Sequence, residues 1–166
     1  MNKKVIFICQ GAMIAAIYVV LTLFINTFNL ASGAIQVRIS EALCILPIFT
    51  PAAIPGLFIG CFLSTIMMGS AIYDIIFGSL ATLIGAVGTY YLRNTKFVFT
   101  LPPVIANAVI IPFVLKFAYG LTDAFWFLVV TVAAGEIICV CIMGMILKAA
   151  LWPERRFIFR NEEIAA

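Results

Sequence analysis

The chain has 166 residues, of which 65% are hydrophobic and only 10% are charged. Soluble domains carry roughly 45–50% apolar and about 25% charged residues, so this composition excludes a soluble enzyme, a nucleic-acid-binding protein and a disordered chain. The net charge of +3 is too small to indicate a polyanionic partner. The absence of histidine removes the commonest general base and metal ligand. An all-α integral membrane protein remains.

Six apolar runs predict membrane-spanning helices. A spanning helix needs about 20 residues, within a range of roughly 17–25. The first run exceeds the roughly 7–15-residue core of a signal peptide, which favours a retained helix. Thr50-Pro51 predicts a turn between the second and third runs, and Pro47 a kink. The predicted spans are 5–25, 34–50, 52–69, 73–92, 97–117 and 125–148.

Positive residues predict the orientation of these spans. They form three clusters. A six-span topology places all three clusters on one side of the membrane, whereas a five-span topology does not. Cytoplasmic loops carry an excess of Lys and Arg. We therefore predict a compact six-helix bundle in a single domain, 1–166, with both termini and the tail 149–166 in the cytoplasm. The clusters are Lys3 and Lys4, then Arg93 and Lys96, then Lys148, Arg155, Arg156 and Arg160.

The connections between spans are short except for residues 26–37, which lie on the predicted outer side. A loop of that length is typical of a lid or a binding loop. The five cysteines all lie in apolar runs. We interpret them as reduced thiols that pack as small apolar residues.

Two polar residues, Asn107 and Glu136, fall near the middle of predicted spans. Each lies about 10 or 11 residues into its span, which is on the order of 15 Å deep at 1.5 Å per residue. A charged side chain at that depth costs on the order of 2.5–3.5 kcal/mol, so it is a candidate for a functional site. The alternatives are an ion pair of Glu136 with Arg38 or Lys116, and a bond between helices for Asn107.

Other polar residues gather at the predicted outer end of the bundle. Arg38 and Glu41 are three residues apart, so they meet on one helix face, either as a local salt bridge or as the lining of an outward-facing cavity. Asp74 opens the fourth span, where a carboxylate also suits a helix N-terminus. Lys116 is expected to extend to the interface, and Asp123 to cap the last helix.

Aromatic residues near the span ends fit an interfacial belt. Trp126 and Tyr119 lie near the predicted outer mouth, where they belong either to that belt or to a surface that stacks on a flat ligand. The residues assigned to the belt are Tyr18, Phe24, Tyr73, Tyr90, Tyr91, Tyr119, Trp126 and Trp152.

Small residues recur at the spacing that lets helices approach closely in lipid. The stripe on the first span fits either a helix of the same chain or an external partner helix. For the stripes on the third and fourth spans, packing inside the chain is the favoured interpretation. The three stripes are Gly11, Ala12, Ala15 and Ala16; Gly56, Gly60 and Ser64; and Gly78, Ala81, Gly85 and Gly88.

The motifs of ATPases and of membrane enzymes are absent from the sequence. There is no GxxxxGK[ST] loop for ATP, no HExxH, and no GxSxG accompanied by histidine. Nor is there a regular series of carboxylates that would indicate a proton-driven carrier. We therefore expect neither enzyme activity nor a cofactor in this chain. A polar outer pocket without an energy source is typical of the substrate-capturing part of a larger machine.

Four segments of the sequence resemble the QueT family. The most specific is IQVRISEALCILPIFTPAAIPGLFIGC at 35–61, and DIIFGSLATL at 74–83, LPPVIANA at 101–108 and the pair Gly-Glu at 135–136 agree with it. The resemblance implies a substrate-binding S-component of an energy-coupling factor (ECF) transporter in a bacterial plasma membrane. It also implies uptake of a queuosine precursor, which is a deazaguanine base.

The same resemblance implies partner proteins. These are a membrane coupling protein and two ATPase subunits, which use the ATP that this chain does not bind. In such S-components the small residues of the first helix contact the coupling protein. The residues that match this role are Gly11, Ala12, Ala15 and Ala16.

A deazaguanine presents two adjacent N–H donors beside a carbonyl acceptor, which a largely apolar pocket with few polar groups can recognise. We predict that Glu136 accepts both donors and that Asn107 donates to the carbonyl. The other predicted contacts are closure of the pocket by Arg38 and Glu41, an ion pair of Asp74 with a ligand amine, and stacking by Trp126.

Three alternatives stay open on the sequence. They are an S-component for another small vitamin or nucleobase, a membrane enzyme, and a purely structural subunit of an assembly. The sequence also leaves open whether the free base, an aminomethyl precursor or a cyano precursor is preferred.

Overall fold

The computed structural model of the chain describes residues 3–27, 38–120 and 124–159, apart from the side chain of Arg156. Over these ranges the chain is helical and contains no strand, which confirms the all-helical fold class. The prediction that Asp123 caps a helix lies outside the described residues, as do those for most of the 26–37 loop and for Arg160.

Six helical segments, followed by a short C-terminal helix, make up the described part of the chain. Two of them depart from α geometry. One is a 3₁₀ helix throughout, and the last long helix changes to π geometry at Ile137–Met143. The bounds are α1 Lys3–Asn26, the 3₁₀ helix Ile39–Ile48, α2 Ala53–Met67, α3 Ile72–Tyr91, α4 Leu101–Phe117 after a 3₁₀ turn at Val98–Thr100, α5 Phe125–Leu151 and α6 Arg155–Ile158.

Four of these helices are long and apolar enough to cross a membrane, namely α1, α3, α4 with its 3₁₀ turn, and α5. They agree with four of the predicted spans to within a few residues. The predicted spans 34–50 and 52–69 instead contain a 3₁₀ helix of 10 residues and an α-helix of 15 residues. Proline lacks an N–H donor and disrupts a continuous α-helix, and Pro47 lies inside the 3₁₀ helix. Six membrane crossings therefore stay a prediction.

Contacts bring the start of α1, the end of α5 and the C-terminal segment to one end of the bundle. Gln10 Nε2 donates to the carbonyl oxygen of Ile158 at 3.3 Å, and Thr50 Oγ1 donates to Gln10 Oε1 at 2.9 Å. Lys148 Nζ, near the end of α5, lies 4.3 Å from the centroid of the Phe99 ring, just before α4. We call this the basic end, because it carries Lys3, Lys4, Arg93, Lys96, Lys148 and Arg155.

The opposite end is defined by contacts between the other termini of the same helices. Arg38 precedes the 3₁₀ helix and pairs with Asp74 in the first turn of α3, and Tyr119, just after α4, bonds to Asp74. Phe113 and Phe125 place the end of α4 beside the start of α5, with ring centroids 4.8 Å apart. The six segments therefore alternate in direction, as a six-span topology requires. We call this the cavity end.

The 3₁₀ helix forms the centre of the bundle rather than one of its outer walls. Every residue from Ser40 to Ile48 is buried, and its side chains join the main hydrophobic core with Tyr18, Leu57 and Phe99. A polar side chain on this helix is therefore surrounded by protein on all sides. This position explains why Glu41 lies inside the protein, whereas the sequence predicted a place at the outer mouth.

Glycines let α1 pack closely against α2. A Cβ at Gly56 would lie 2.6 Å from the carbonyl oxygen of Gly11, and one at Gly60 would lie 3.0 Å from that of Ala15. On the other side, a Cβ at Gly85 of α3 would lie 2.7 Å from Cα of Pro103 in α4. The internal packing predicted for the stripes on α2 and α3 is confirmed.

The stripe on α1 divides between two faces. Gly11 and Ala15 face α2, whereas Ala12 and Ala16 are exposed. The prediction that all four residues contact an external partner is therefore wrong for Gly11 and Ala15, since α2 already occupies that face. Only Ala12 and Ala16 leave a shallow, small-residue surface on the outside of the bundle.

Candidate functional site

A cavity of about 300 Å³ opens at the cavity end. It is bounded by the end of α1, the start of the 3₁₀ helix, the end of α2, the start of α3 and the end of α4. Its lining is mixed, with apolar surface from Ile25 and Leu115 and polar groups from five segments. The polar or aromatic side chains used below are Tyr18, Thr22, Arg38, Ser40, Asp74 and Tyr119.

An ion pair and a phenol form one wall of this cavity. Arg38 Nη2 lies 3.4 Å from Asp74 Oδ1, and both side chains are largely buried. Tyr119 Oη donates to Asp74 Oδ2 at 3.0 Å and accepts from the amide of Ala71 at 3.3 Å. Burial and the negative charge of Asp74 raise the pKa of Tyr119, so the phenol stays protonated and remains a donor. Each oxygen of Asp74 thus has a partner.

This arrangement decides between the sequence-based alternatives for Arg38. Among the described residues Arg38 pairs with Asp74 and not with Glu41, whose carboxylate is bonded to other side chains. Asp74 lies in the first turn of α3, as the sequence predicted for a carboxylate that suits a helix N-terminus, although it makes no side-chain cap bond. Arg38 and Asp74 both line the cavity, so the cavity-lining interpretation is confirmed for Arg38 and wrong for Glu41.

Glu41 lies behind the cavity wall, completely buried, and accepts three hydrogen bonds. Tyr18 Oη donates to Oε1 at 2.5 Å, Thr82 Oγ1 to the same oxygen at 3.2 Å, and Cys44 Sγ to Oε2 at 2.9 Å. The bonds join α1, α3 and the 3₁₀ helix at one carboxylate. Glu41 itself does not line the cavity, whereas Tyr18 does, so Glu41 positions the cavity wall.

Asn107 and Glu136 lie in the interior between α4 and α5 and do not line the cavity. Asn107 is 0% exposed and Glu136 is 5% exposed, so both side chains lie inside the bundle. Neither polar atom of the Asn107 amide has a hydrogen-bond partner among the described residues, nor does Oε2 of Glu136. Glu136 lies near Asn107, and the charges of Arg38 and Glu41 act on its carboxyl group. Asn107 and Glu136 are therefore electrostatically linked to the polar residues at the cavity.

The backbone changes geometry directly after Glu136, where the π segment Ile137–Met143 begins. π geometry inside an α-helix is rare and is frequent at functional sites. The ion pair of Glu136 with Lys116 that the sequence left open is not formed, because Lys116 is exposed at the end of α4. Arg38 is engaged by Asp74. Within the described ranges, no cluster of three or more His, Cys, Asp or Glu side chains is placed to hold a metal ion.

A family model described as QueT transporter matches residues 8–152. The chain belongs to the QueT transporter family. No curated protein and no solved structure matches the chain. The match includes all or most of each described helix that is long enough to span a membrane, so this QueT-family protein is a multi-pass membrane transport protein with a small-molecule substrate.

The outer faces of the QueT bundle are apolar, as lipid requires. Long rows of exposed Ile, Val, Leu and Phe side chains cover α1, α3, α4 and α5, and helices satisfy their own backbone polar groups in hydrocarbon. Trp126 lies on this surface, 76% exposed, with its ring against Phe125. The structure does not bring Trp126 to the cavity, so its place fits the interfacial belt.

Sequence reasoning missed the contributions of Tyr18 and Thr82 to the site. The assignment of Tyr18 to the interfacial belt is wrong, because this side chain is buried and bonded to Glu41. Helical spacing contained the signal, since Tyr18 lies three residues after the inward-facing Ala15, and Thr82 four residues after Gly78. Tyr119, predicted near the mouth, does line the cavity.

Proposed function

We propose that this chain is the S-component of an ECF-type importer and that it captures a queuosine precursor, a deazaguanine base, from outside the cell. The observation that carries the proposal is that buried polar atoms of this QueT-family chain have no hydrogen-bond partner among the described residues. Asn107 Nδ2 and Oδ1 and Glu136 Oε2 have no partner at hydrogen-bond distance among the described residues, although the two side chains are neighbours. Buried polar groups are nearly always hydrogen-bonded, so these are the groups that a bound molecule would complete.

The cavity size suits a compact ligand. At about 300 Å³ it lies at the lower end of the range of small-molecule sites, roughly 300–1,000 Å³. A single bicyclic base fits that volume better than a nucleoside or a larger cofactor. In this proposal the phenol ring of Tyr119, which lines the cavity, stacks on the flat ligand in place of Trp126.

The chemistry of the two inner residues matches one edge of a deazaguanine. A carboxylate accepts and never donates when ionised, so Glu136 suits the adjacent ring N–H and exocyclic amine. The amide N–H₂ group of Asn107 suits the carbonyl beside them. Since neither residue lines the cavity, binding requires a side-chain shift that joins the cavity to them. Arg38 is the cavity-lining group whose charge acts on Glu136, and its movement is the simplest such shift.

At the other side of the cavity, Asp74 would meet a ligand amine where the precursor carries one. Its carboxylate now bonds to Arg38 and Tyr119, so an ammonium group would replace part of the contact with Arg38. Glu41, predicted as a group that closes the pocket over the ligand, would instead hold Tyr18 in place.

The exposed surface of Ala12 and Ala16 is the proposed docking site for the membrane coupling protein, which would transmit work from two ATPase subunits. Small residues allow close approach of a partner helix.

The double substitution Ala12→Leu and Ala16→Leu should abolish uptake in cells and leave ligand binding by the purified chain unchanged. The matched control is Met13→Leu on the exposed side of the same helix, which should preserve uptake. Normal uptake by the double variant would show that this face does not dock the partner.

The orientation proposed for the importer follows from charge. The basic end would face the cytoplasm, because cytoplasmic segments carry the excess of Lys and Arg, and the cavity end would face outward in a bacterial plasma membrane. The chain would then need no cofactor of its own, since ATP acts on the partners.

Calorimetry of the purified full-length protein tests the proposed substrate. Titrations use the free queuosine base, its aminomethyl and cyano precursors, and guanine as a matched purine. Reversible binding of one deazaguanine, without chemical turnover, supports the proposal. Absence of binding to all three, with binding of another vitamin or nucleobase, would favour the alternative S-component, and turnover would favour an enzyme.

A further inference from the structure

Two cations lie against one indole ring at the basic end. Lys148 Nζ lies 5.7 Å from the centroid of the Trp152 ring, and Arg155 Cζ lies 4.1 Å from it. Lys148 also contacts the Phe99 ring at 4.3 Å. Cation–π contacts at these distances are attractive, so the aromatic rings hold both positive charges on one surface. We call it the Lys148–Arg155 patch.

No carboxylate in the described part of the chain neutralises the cations of the patch. Among the described residues neither Lys148 nor Arg155 forms an ion pair, and the carboxylate of the neighbouring Glu154 is not bonded to either. Arg155 uses one N–H on the carbonyl oxygen of Trp152, at 2.6 Å. A guanidinium has five N–H donors, so several remain for an anion. Both cations are half-buried, which strengthens their field compared with fully hydrated side chains.

Exposed aromatic surface is part of the patch. Trp152, the ring that both cations contact, is 47% exposed. Beyond it, Phe157 is 85% exposed. The segment is nevertheless fixed, because the ring of Phe159 stacks on Phe49 with centroids 5.1 Å apart. An amphipathic molecule at the membrane surface would meet cations for its anionic group beside an exposed indole ring.

We propose that the Lys148–Arg155 patch binds the headgroup phosphate of an anionic phospholipid. Basic groups at the membrane surface attract anionic lipids, and basic pockets beside membrane helices bind their headgroups. The charge of the patch selects an anionic lipid over a zwitterionic one. The proposal does not depend on which small molecule the cavity takes.

Tryptophan quenching in vesicles provides the test, because the chain has only two tryptophans. In Trp126→Phe, the remaining Trp152 reports on the patch. In Trp152→Phe, the remaining Trp126 reports on the cavity end as a matched control. Brominated phosphatidylglycerol and brominated phosphatidylcholine quench a tryptophan that they contact, and competition between them gives the relative affinity of the two lipids.

With the Trp152 reporter, phosphatidylglycerol should be preferred by roughly fivefold for each cation. Adding Lys148→Gln and Arg155→Gln should bring the ratio close to one. Adding Lys116→Gln, at the cavity end, should leave it unchanged. The charge-preserving pair Lys148→Arg and Arg155→Lys should keep most of the preference, which separates lipid binding from a loss of folding.

Two outcomes would overturn the proposal. One is equal quenching of Trp152 by both lipids in the protein with the intact patch. The other is a preference that survives removal of both cations. If the double Gln variant fails in uptake and the intact patch shows no lipid preference, the patch contacts a protein partner and the lipid proposal is wrong.

Discussion

The two polar groups inside the bundle differ in how completely they are satisfied. At the cavity wall, Arg38 neutralises Asp74, and Tyr119 supplies the second bond to its carboxylate. Deeper in, Asn107 and Glu136 have buried atoms without any partner among the described residues. An unsatisfied buried polar group costs about 1–3 kcal/mol. Under the proposed function, the first group maintains the shape of the empty protein, whereas the second is completed by the bound ligand.

The largest loss of stability should come from removing one partner of the Arg38–Asp74 ion pair. Arg38→Gln leaves the Asp74 carboxylate buried and without a cation, which costs on the order of 3–5 kcal/mol. The melting temperature of the purified protein in nanodiscs should therefore fall by roughly 10 °C. The double variant Arg38→Gln with Asp74→Asn should recover most of the loss, because no uncompensated charge remains. A single variant that melts like the unmodified protein would show that the pair does not hold the cavity wall.

The next effect is expected at the carboxylate behind the wall. Tyr18→Phe removes the 2.5 Å bond to Glu41 and leaves the bonds from Thr82 and Cys44. A hydrogen bond to a charged group contributes about 1.5–3 kcal/mol, so the free energy of unfolding should decrease by that amount. Tyr73→Phe, at an exposed position, is the matched control and should be neutral. Equal stability of the two variants would exclude a positioning role for Glu41.

Removing the polar group of Asn107 should have the opposite effect on stability. Asn107→Leu replaces an amide without partners by an apolar side chain of similar size, so the ligand-free protein should melt at the same temperature or higher. Affinity for the deazaguanine ligand should fall about tenfold or more, because the carbonyl loses its donor. A lowered melting temperature with unchanged affinity would mean that Asn107 bonds between helices, as the alternative interpretation of the sequence held.

The spans of α1, α3, α4 and α5 could be predicted because hydrocarbon thickness is a local constraint. About 20 consecutive apolar residues suffice to recognise such a helix. The same count placed Asn107 and Glu136 at depth, and the structure buries both. Depth within a span needs no knowledge of the neighbouring helices.

The partners of the polar residues could not be predicted in this way. Arg38 and Asp74 are 36 residues apart, and their contact depends on how α3 packs beside the start of the 3₁₀ helix. Pro47 indicated an irregular second span, but the burial of that whole segment is decided by helices on every side of it. The π segment after Glu136 has no proline and no glycine within it, so its residue types gave no signal of the change in geometry.

The proposal that Glu136 binds the ligand is tested most directly with the variant Glu136→Gln. Ligand affinity and melting temperature are both measured on one sample of it. The amide offers one acceptor where the carboxylate offered two, and it presents a donor to a ligand donor. Affinity for the deazaguanine should fall roughly 10- to 100-fold, while the ligand-free protein should melt close to the unmodified one. Glu154→Gln, at an exposed carboxylate, should change neither quantity. Unchanged affinity with a lowered melting temperature would contradict the account and assign Glu136 to the structure of the bundle.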